Sequence, residues 1–220
     1  MINKDYILRI AERVGRALTV ILGLRQANRF EEALIYIDDL FLQAVGLTSS
    51  FINSVPEETL LQMLSPLGEL SIDKCLWVAA LLKAEGEIYE DQGNALESYY
   101  RYLKSLRLFL EVQLHERMLS TSNFYVETEE LLSRLEEYEV PDSIKSQLFS
   151  YYELTGRYAK AEDTLFELLE TDHGNREVFQ QGIAFYERLQ GKSDFDLAAG
   201  NLSRDEVKEG LAQLKQMKLR

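Results

Sequence analysis

The sequence has little of what most function classes require. A single cysteine among 220 residues cannot form an internal disulfide. Cys75 lies in the apolar run Cys75-Leu76-Trp77-Val78-Ala79-Ala80, which predicts a buried, inert thiol, and nothing points to an oxidising compartment. With 3 prolines, 12 glycines and 46% hydrophobic residues, the chain is neither collagen-like, low-complexity nor disordered. So few breakers favour helices. Positive charge is also scarce: 24 Lys and Arg stand against 37 Asp and Glu, a formal charge of −13. That balance repels phosphate backbones and anionic lipid, so nucleic-acid or membrane-surface binding is excluded as a main role except through a local basic patch. The most apolar early stretch, 17–24, falls far short of the roughly 20 residues that span a bilayer. Arginines flank it and no small-residue cleavage site follows, so no signal peptide is predicted and a cytoplasmic location is expected. A chain of this size buries about 70% of its unfolded surface without disulfides or metal.

What is present is helical periodicity. Apolar residues recur three or four apart almost throughout, and no stretch alternates as a half-buried strand does. Between Gly156 and Thr171, the residues Tyr158, Ala161, Leu165, Leu168 and Leu169 form one stripe, with Lys160, Glu162, Asp163, Glu167 and Glu170 on other faces. From Asn94 to Leu119 the apolar set is wider: Leu96, Tyr99, Leu103, Leu106 and Leu110, extended by Tyr100, Leu108, Phe109 and Val112. Such a helix packs on more than one side. Ser54-Val55-Pro56-Glu57 and Ser203-Arg204-Asp205-Glu206 read as capping boxes that open helices. Pro66, Gly93, Pro141, Gly156, Gly174 and Gly191 mark pauses between helical patterns. About ten helices are expected, all-α.

Three segments resemble one another. Leu148-Phe149-Ser150-Tyr151-Tyr152-Glu153-Leu154-Thr155-Gly156-Arg157-Tyr158-Ala159-Lys160-Ala161 has an aromatic near the end of one helix, a turn glycine, an aromatic opening the next helix, and a small alanine at the crossing. A second copy runs Gly86-Glu87-Ile88-Tyr89-Glu90-Asp91-Gln92-Gly93, with Ser98, Tyr102 and Ser105. A third holds Ile21, Leu24, Asn28-Arg29-Phe30-Glu31-Glu32-Ala33, Ile37 and Leu40, with Asn replacing the turn glycine. The small residues Ala33, Ser98 and Ala161 lie 65 (98 − 33) and 63 (161 − 98) residues apart. Two units of a 34-residue repeat would give about 68.

These copies resemble the tetratricopeptide repeat (TPR), although its leading Trp and trailing Pro are missing from all three. The chain also resembles small acidic bacterial helical-repeat proteins of unknown function. The resemblance implies an antiparallel helix-hairpin array, a TPR-like α-α superhelix, over residues 1–190. Residues 191–220 would be a linker and a C-terminal helix docking on the array. The intervening stretches, 46–72 and 120–140, each hold one recognisable helix.

Catalytic signals fail on context. Gly191-Lys192-Ser193 resembles the end of a phosphate-binding loop, but Tyr186 stands where that loop needs glycine and a helix precedes it. Glu170-Thr171-Asp172-His173 is the chain's one Glu-x-x-His, whereas di-iron bundles need two; His115 has Val112 at the matching position. His173 suits a helix C-terminus. No catalytic residue, cofactor or metal is predicted.

Two surfaces remain. In tetratricopeptide arrays the first helix of each pair lines a concave groove. That resemblance assigns groove positions to Lys83, Glu87 and Glu90 in one copy and to Ser146, Ser150 and Glu153 in another. Both triplets are spaced four then three, which keeps each on one helical face. Of the Lys, Arg and Asn that a two-carboxylate clamp would need, only Lys83 is present. The acids Glu127, Glu129, Glu130, Glu136, Glu137, Glu139 and Asp142 face Arg134 alone, which reads as a solvated helix face or a seat for a basic segment. Lys208, Lys215, Lys218 and Arg220 make the C-terminus basic.

The expected function is a non-enzymatic scaffold or adaptor binding a protein or peptide, with no nucleic acid and no membrane. The alternatives are an acidic TPR-like chaperone for a basic or aggregation-prone client, resembling those of bacterial secretion systems, and a helical enzyme or metalloprotein. The stripe Ile2, Tyr6, Ile7, Ile10, Val14, Leu18 and Ile21 must be covered by the second helix or by another subunit, so a homodimer is also expected.

Overall fold

The computed structural model describes residues 4–116, 123–171 and 176–217. Among them are twelve α-helices, ten of seven residues or more, and no strand, so the fold is an all-α helical array. The helices group into two compact units, Met1–Glu139 and Val140–Arg220.

The first unit holds α1 (Lys4–Gln26), α2 (Phe30–Val45), α3 (Ser49–Ser54), α4 (Glu57–Met63), α5 (Ile72–Asp91), α6 (Ala95–His115) and α7 (Asn123–Arg134). Helix α5 packs on α6, α2 and α1, and is buried from Ile72 to Gly86 at nearly every position but Asp73 and Lys74. The charged residues in that span, Lys83 and Glu85, are themselves buried and must find partners inside the unit. Cys75 is fully buried there, and burial pushes its thiol up to about 12, which leaves it protonated. Of the α1 stripe, Ile7, Ile10, Val14 and Ile21 are buried within the chain, where α1 packs on α2 and α5, whereas Leu18 is half-buried and Tyr6 is exposed. Ile2 lies outside the described residues.

The second unit holds α8 (Asp142–Leu154), α9 (Tyr158–Thr171), α10 (Arg176–Gln190), α11 (Asp194–Ala199) and α12 (Arg204–Met217). Its core joins Phe149, Tyr158, Ala161, Leu165, Phe185, Tyr186, Leu189, Val207, Leu211 and Leu214. The terminal helix α12 is part of this core, packed on α10. The stretch 191–201 contains α11, whose Leu197 is buried in the same core.

One turn closes the hairpins. Asn28, Gly93 and Gly156 have φ of 56°, 74° and 75°, the left-handed conformation that Gly adopts freely and Asn tolerates. In each case the next amide reaches back five residues: Arg29 to Leu24 at 2.9 Å, Asn94 to Tyr89 at 2.8 Å and Arg157 to Tyr152 at 2.8 Å. This double-bonded stop satisfies the last carbonyls of the first helix. The small residues Ala33, Ser98 and Ala161 are all buried at the crossings. A fourth turn of the same kind, at Asn201 (φ 56°), joins α11 to α12, with Leu202 reaching Leu197 at 3.1 Å.

Two local expectations are corrected. Ser203 and Glu206 form the capping box, with bonds of 2.6 and 3.2 Å, but Ser54 and Glu57 do not. Ser54 ends α3 and donates to the Phe51 carbonyl, and α4 starts one residue after Pro56 with no side-chain cap. At the start of α6, Leu96 and Tyr100 are 62% and 54% exposed, while Ser98 and Tyr102 face inward. The tight approach of α5 requires this: a Cβ at Gly86 would lie 2.5 Å from the Tyr102 ring.

The stretch 46–72 holds not the one helix expected but two short ones and a 3-10 turn, fastened by buried charge at both ends of α3. At its start, Ser49 Oγ and Asn53 Nδ2 donate to the carboxylate of Glu85, which is 2% exposed. The Ser49 amide donates to Asp38 at 2.6 Å. At its end, buried Lys104 Nζ donates to the carbonyls of Ile52, Asn53 and Val55, completing bonds that a helix C-terminus leaves open.

Candidate functional site

The α5 residues Lys83, Glu87 and Glu90 share one helical face, and the fold surrounds that face with charge from α1 and α7. Lys83 Nζ stands 2.6 Å from both Glu127 and Glu130 of α7, and 3.6 Å from Glu87. Arg25, in the last turn of α1, reaches Glu87 at 2.5 Å and pairs with Asp91. Arg134, in the last turn of α7, pairs with Glu90, lies 2.9 Å from Glu130 and 3.7 Å from Glu87. The Tyr102 hydroxyl donates to Glu90 at 2.8 Å, and the Arg134 guanidinium lies over its ring. Five carboxylates thus share three cations.

The electrostatics follow from depth. Burial works against the Lys83 ammonium, but its bonds to Glu127 and Glu130 outweigh this and hold it above its ordinary value. Burial pushes the Glu87 carboxyl up, against the opposing pull of Lys83, Arg25 and Arg134. Glu130 is also opposed by burial, yet Lys83 and Arg134 hold it below the usual range. The side chain of Lys83 is only 9% exposed. The residue is therefore an internal counter-ion for two helices, not an open rim position.

Beside this network a cleft of about 220 Å³ opens between α1 and α5. Leu18, Ile21, Leu22, Ala80 and Ala84 make its apolar walls, and Arg25, Lys83, Glu87 and Glu127 its charged end. Gly15 lines it with open space where a side chain would project.

The second triplet lies on α8 in the other unit. Ser146 and Ser150 donate to carbonyls four residues back, and Glu153 accepts two bonds from Arg188 of α10, at 2.6 and 2.8 Å. The acidic run divides. Glu127 and Glu130 belong to the Lys83 network, Glu129 is half-buried, and Glu136, Glu137 and Glu139 are exposed around Tyr138, which stacks on Tyr99.

Arg25, Arg134 and Tyr102 complete the network without having been assigned to it from sequence. A positional signal exists for Arg25: it precedes Asn28 by three residues, as Glu90 precedes Gly93 and Glu153 precedes Gly156. Among the described residues no group of three or more His, Cys, Asp or Glu is placed to hold a metal ion. No helix among them is long and apolar enough to cross a membrane. His173, Lys218 and Arg220 lie outside the described residues. Lys192 and Ser193 lie between α10 and α11, where Ser193 caps α11.

Hairpins closed by one repeated turn, with a charged interhelical face and an adjoining cleft, define an all-α helical-array protein. The chain belongs to a family described as "Family of unknown function (DUF6483)", which matches residues 1–218. No curated protein and no solved structure matches the chain.

Proposed function

We propose that the chain is a non-enzymatic binding module of tetratricopeptide-like build, which takes a protein segment in the cleft between α1 and α5. The observation that carries this reading is the cleft itself, with apolar walls leading to a charged end. Small pockets of this composition take an apolar side chain and orient it by polar contacts at one end. The equivalent turns at Asn28 and Gly93 support it further, because they present α1 and α5 as the first helices of successive hairpins. Five carboxylates against three cations favour a segment whose apolar anchor is followed by a basic residue.

Selection of displayed peptides on the purified chain, followed by titration against a Gly15→Leu variant, tests this. The leucine projects into the cleft and should abolish binding of the selected peptides with the fold intact. Peptides that bind the variant equally well, or recovery of no peptide at all, would overturn the reading.

An acidic chaperone for a basic client is the second reading, favoured by exposed Glu136, Glu137 and Glu139 beside exposed Tyr138. Its affinity for client would fall steeply with salt as the acidic field is screened, whereas a segment held in the cleft by an apolar anchor and one basic residue would lose affinity only modestly.

A further inference from the structure

A second cleft, of about 360 Å³, lies among α1, α2 and α5 and differs in chemistry from the first. Arg13, Arg16, Tyr36, Gln43 and Trp77 line it, together with Val20 and Leu40. The Arg13 guanidinium lies 5.8 Å from the Trp77 ring centre, within reach of the ring's negative face. Among the described residues neither Arg13 nor Arg16 pairs with a carboxylate, in a chain of charge −13. With 37 acids to choose from, two arginines left open beside two aromatic rings make a local reversal of sign.

We propose that this cleft binds a small phosphate ester carrying a flat aromatic ring. Arg13 and Arg16 are three residues apart on one helix, which makes them surface neighbours about 5–6 Å apart at Cβ. Two guanidinia so placed match one phosphate, which carries a charge of about −1.5 to −2 and accepts forked hydrogen bonds. A lone carboxylate would leave one guanidinium unanswered. Tyr36, half-buried at the wall, offers a face for the ring, Trp77 lies largely buried beneath Arg13 at the base of the cleft, and the Gln43 amide and Tyr36 hydroxyl offer polar contacts. The volume falls in the range of small-ligand sites. Larger polyanions are disfavoured, because each added negative charge meets the acidic field of the rest of the chain. This site uses none of the residues of the α1–α5 cleft, so either proposal can fail alone.

Trp77 is the chain's one tryptophan, so its fluorescence reports on this cleft directly. Titration of the full chain with phenyl phosphate should give a saturable change. Inorganic phosphate alone and benzyl alcohol alone should each bind at least about tenfold more weakly, a difference of about 1.4 kcal/mol. The double variant Arg13→Gln/Arg16→Gln should lose phenyl phosphate affinity by about tenfold or more, with helical circular dichroism and thermal midpoint kept. Arg9→Gln, on the same helix but outside the cleft, should leave affinity unchanged. The absence of a saturable change, equal affinity in the double variant, or tighter binding of an acidic peptide than of phenyl phosphate would each overturn the proposal.

Discussion

Lys104 donates to the carbonyl of Ile52 at 3.0 Å, and both residues are buried. The ammonium also serves Asn53 and Val55, so one side chain closes the end of α3. Burial lowers its proton affinity below the ordinary lysine value. Lys104→Met removes that desolvation cost but leaves three carbonyls without their donor. At about 1–3 kcal/mol for a buried group left unsatisfied, the variant should lose about 2 kcal/mol, read from urea unfolding. Unchanged stability would show that water replaces the ammonium.

At the other end of α3, Glu85 is held above the ordinary carboxyl value by burial, against Ser49, Arg101 and Asn53. A raised carboxyl binds its proton more tightly folded than unfolded, so its contribution to stability grows as pH falls through the folded value toward the ordinary one, about 4.3. Glu85→Gln keeps an acceptor for Ser49 and cannot titrate. The variant should therefore compare best with the parent near pH 7 and lose ground as pH is lowered. Parallel stability curves would refute the buried, costly carboxylate.

The elements that local chemistry decides were legible in the sequence. The turns at Asn28, Gly93 and Gly156 need residues that tolerate positive φ, and the crossings need Ala33, Ser98 and Ala161, so both showed as patterns. Lys83, Glu87 and Glu90 were legible as one helical face. Their surroundings were not, because Arg25 lies 62 residues from Glu87 and Arg134 lies 44 from Glu90, and helical periodicity says nothing about contacts at such range. For the same reason Glu127 and Glu130 read as a solvated face when their counter-charge, Lys83, comes from α5. The start of α6 misled because Leu96 and Tyr100 are apolar yet exposed, while Ser98 and Tyr102 pack inward against α5.

The shared counter-ion has a distinct pH signature. In Lys83→Met, Glu87, Glu127 and Glu130 lose a buried cation, which should cost about 3 kcal/mol near neutrality. Glu130 is held below its ordinary value, so its stabilising contribution is present above about 4.3 and is lost as pH falls through its folded value. The gap between parent and variant should accordingly narrow on acidification. A gap independent of pH would mean that lost packing of the lysine stem, not charge, sets the cost.

In the second unit, close packing rather than charge is testable at Gly210. A Cβ there would fall inside the contact radius of the Tyr186 hydroxyl and ring. Tyr186 is fully buried and its hydroxyl donates to Glu162 at 2.6 Å, so it has no room to retreat. Gly→Ala inside a helix ordinarily gains about 1 kcal/mol, whereas overpacking costs about 1–3 kcal/mol. Gly210→Ala should be destabilising on balance, measured by thermal or urea unfolding. A gain would mean that α12 can shift away from α10.

Gly15 gives the opposite expectation, and the contrast makes it the sharper test. It is a helical glycine on α1, and a Cβ added there would meet nothing within 4 Å, so Gly15→Ala should stabilise by about 1 kcal/mol through helix propensity alone. Gly15→Leu adds apolar volume beside Leu18 and Leu22, where it covers the floor of the α1–α5 cleft. Its stability should equal or exceed that of the parent, while selected peptides lose affinity. Loss of binding in a variant that is no less stable cannot be ascribed to unfolding. Retained binding in the same variant would place the partner surface elsewhere.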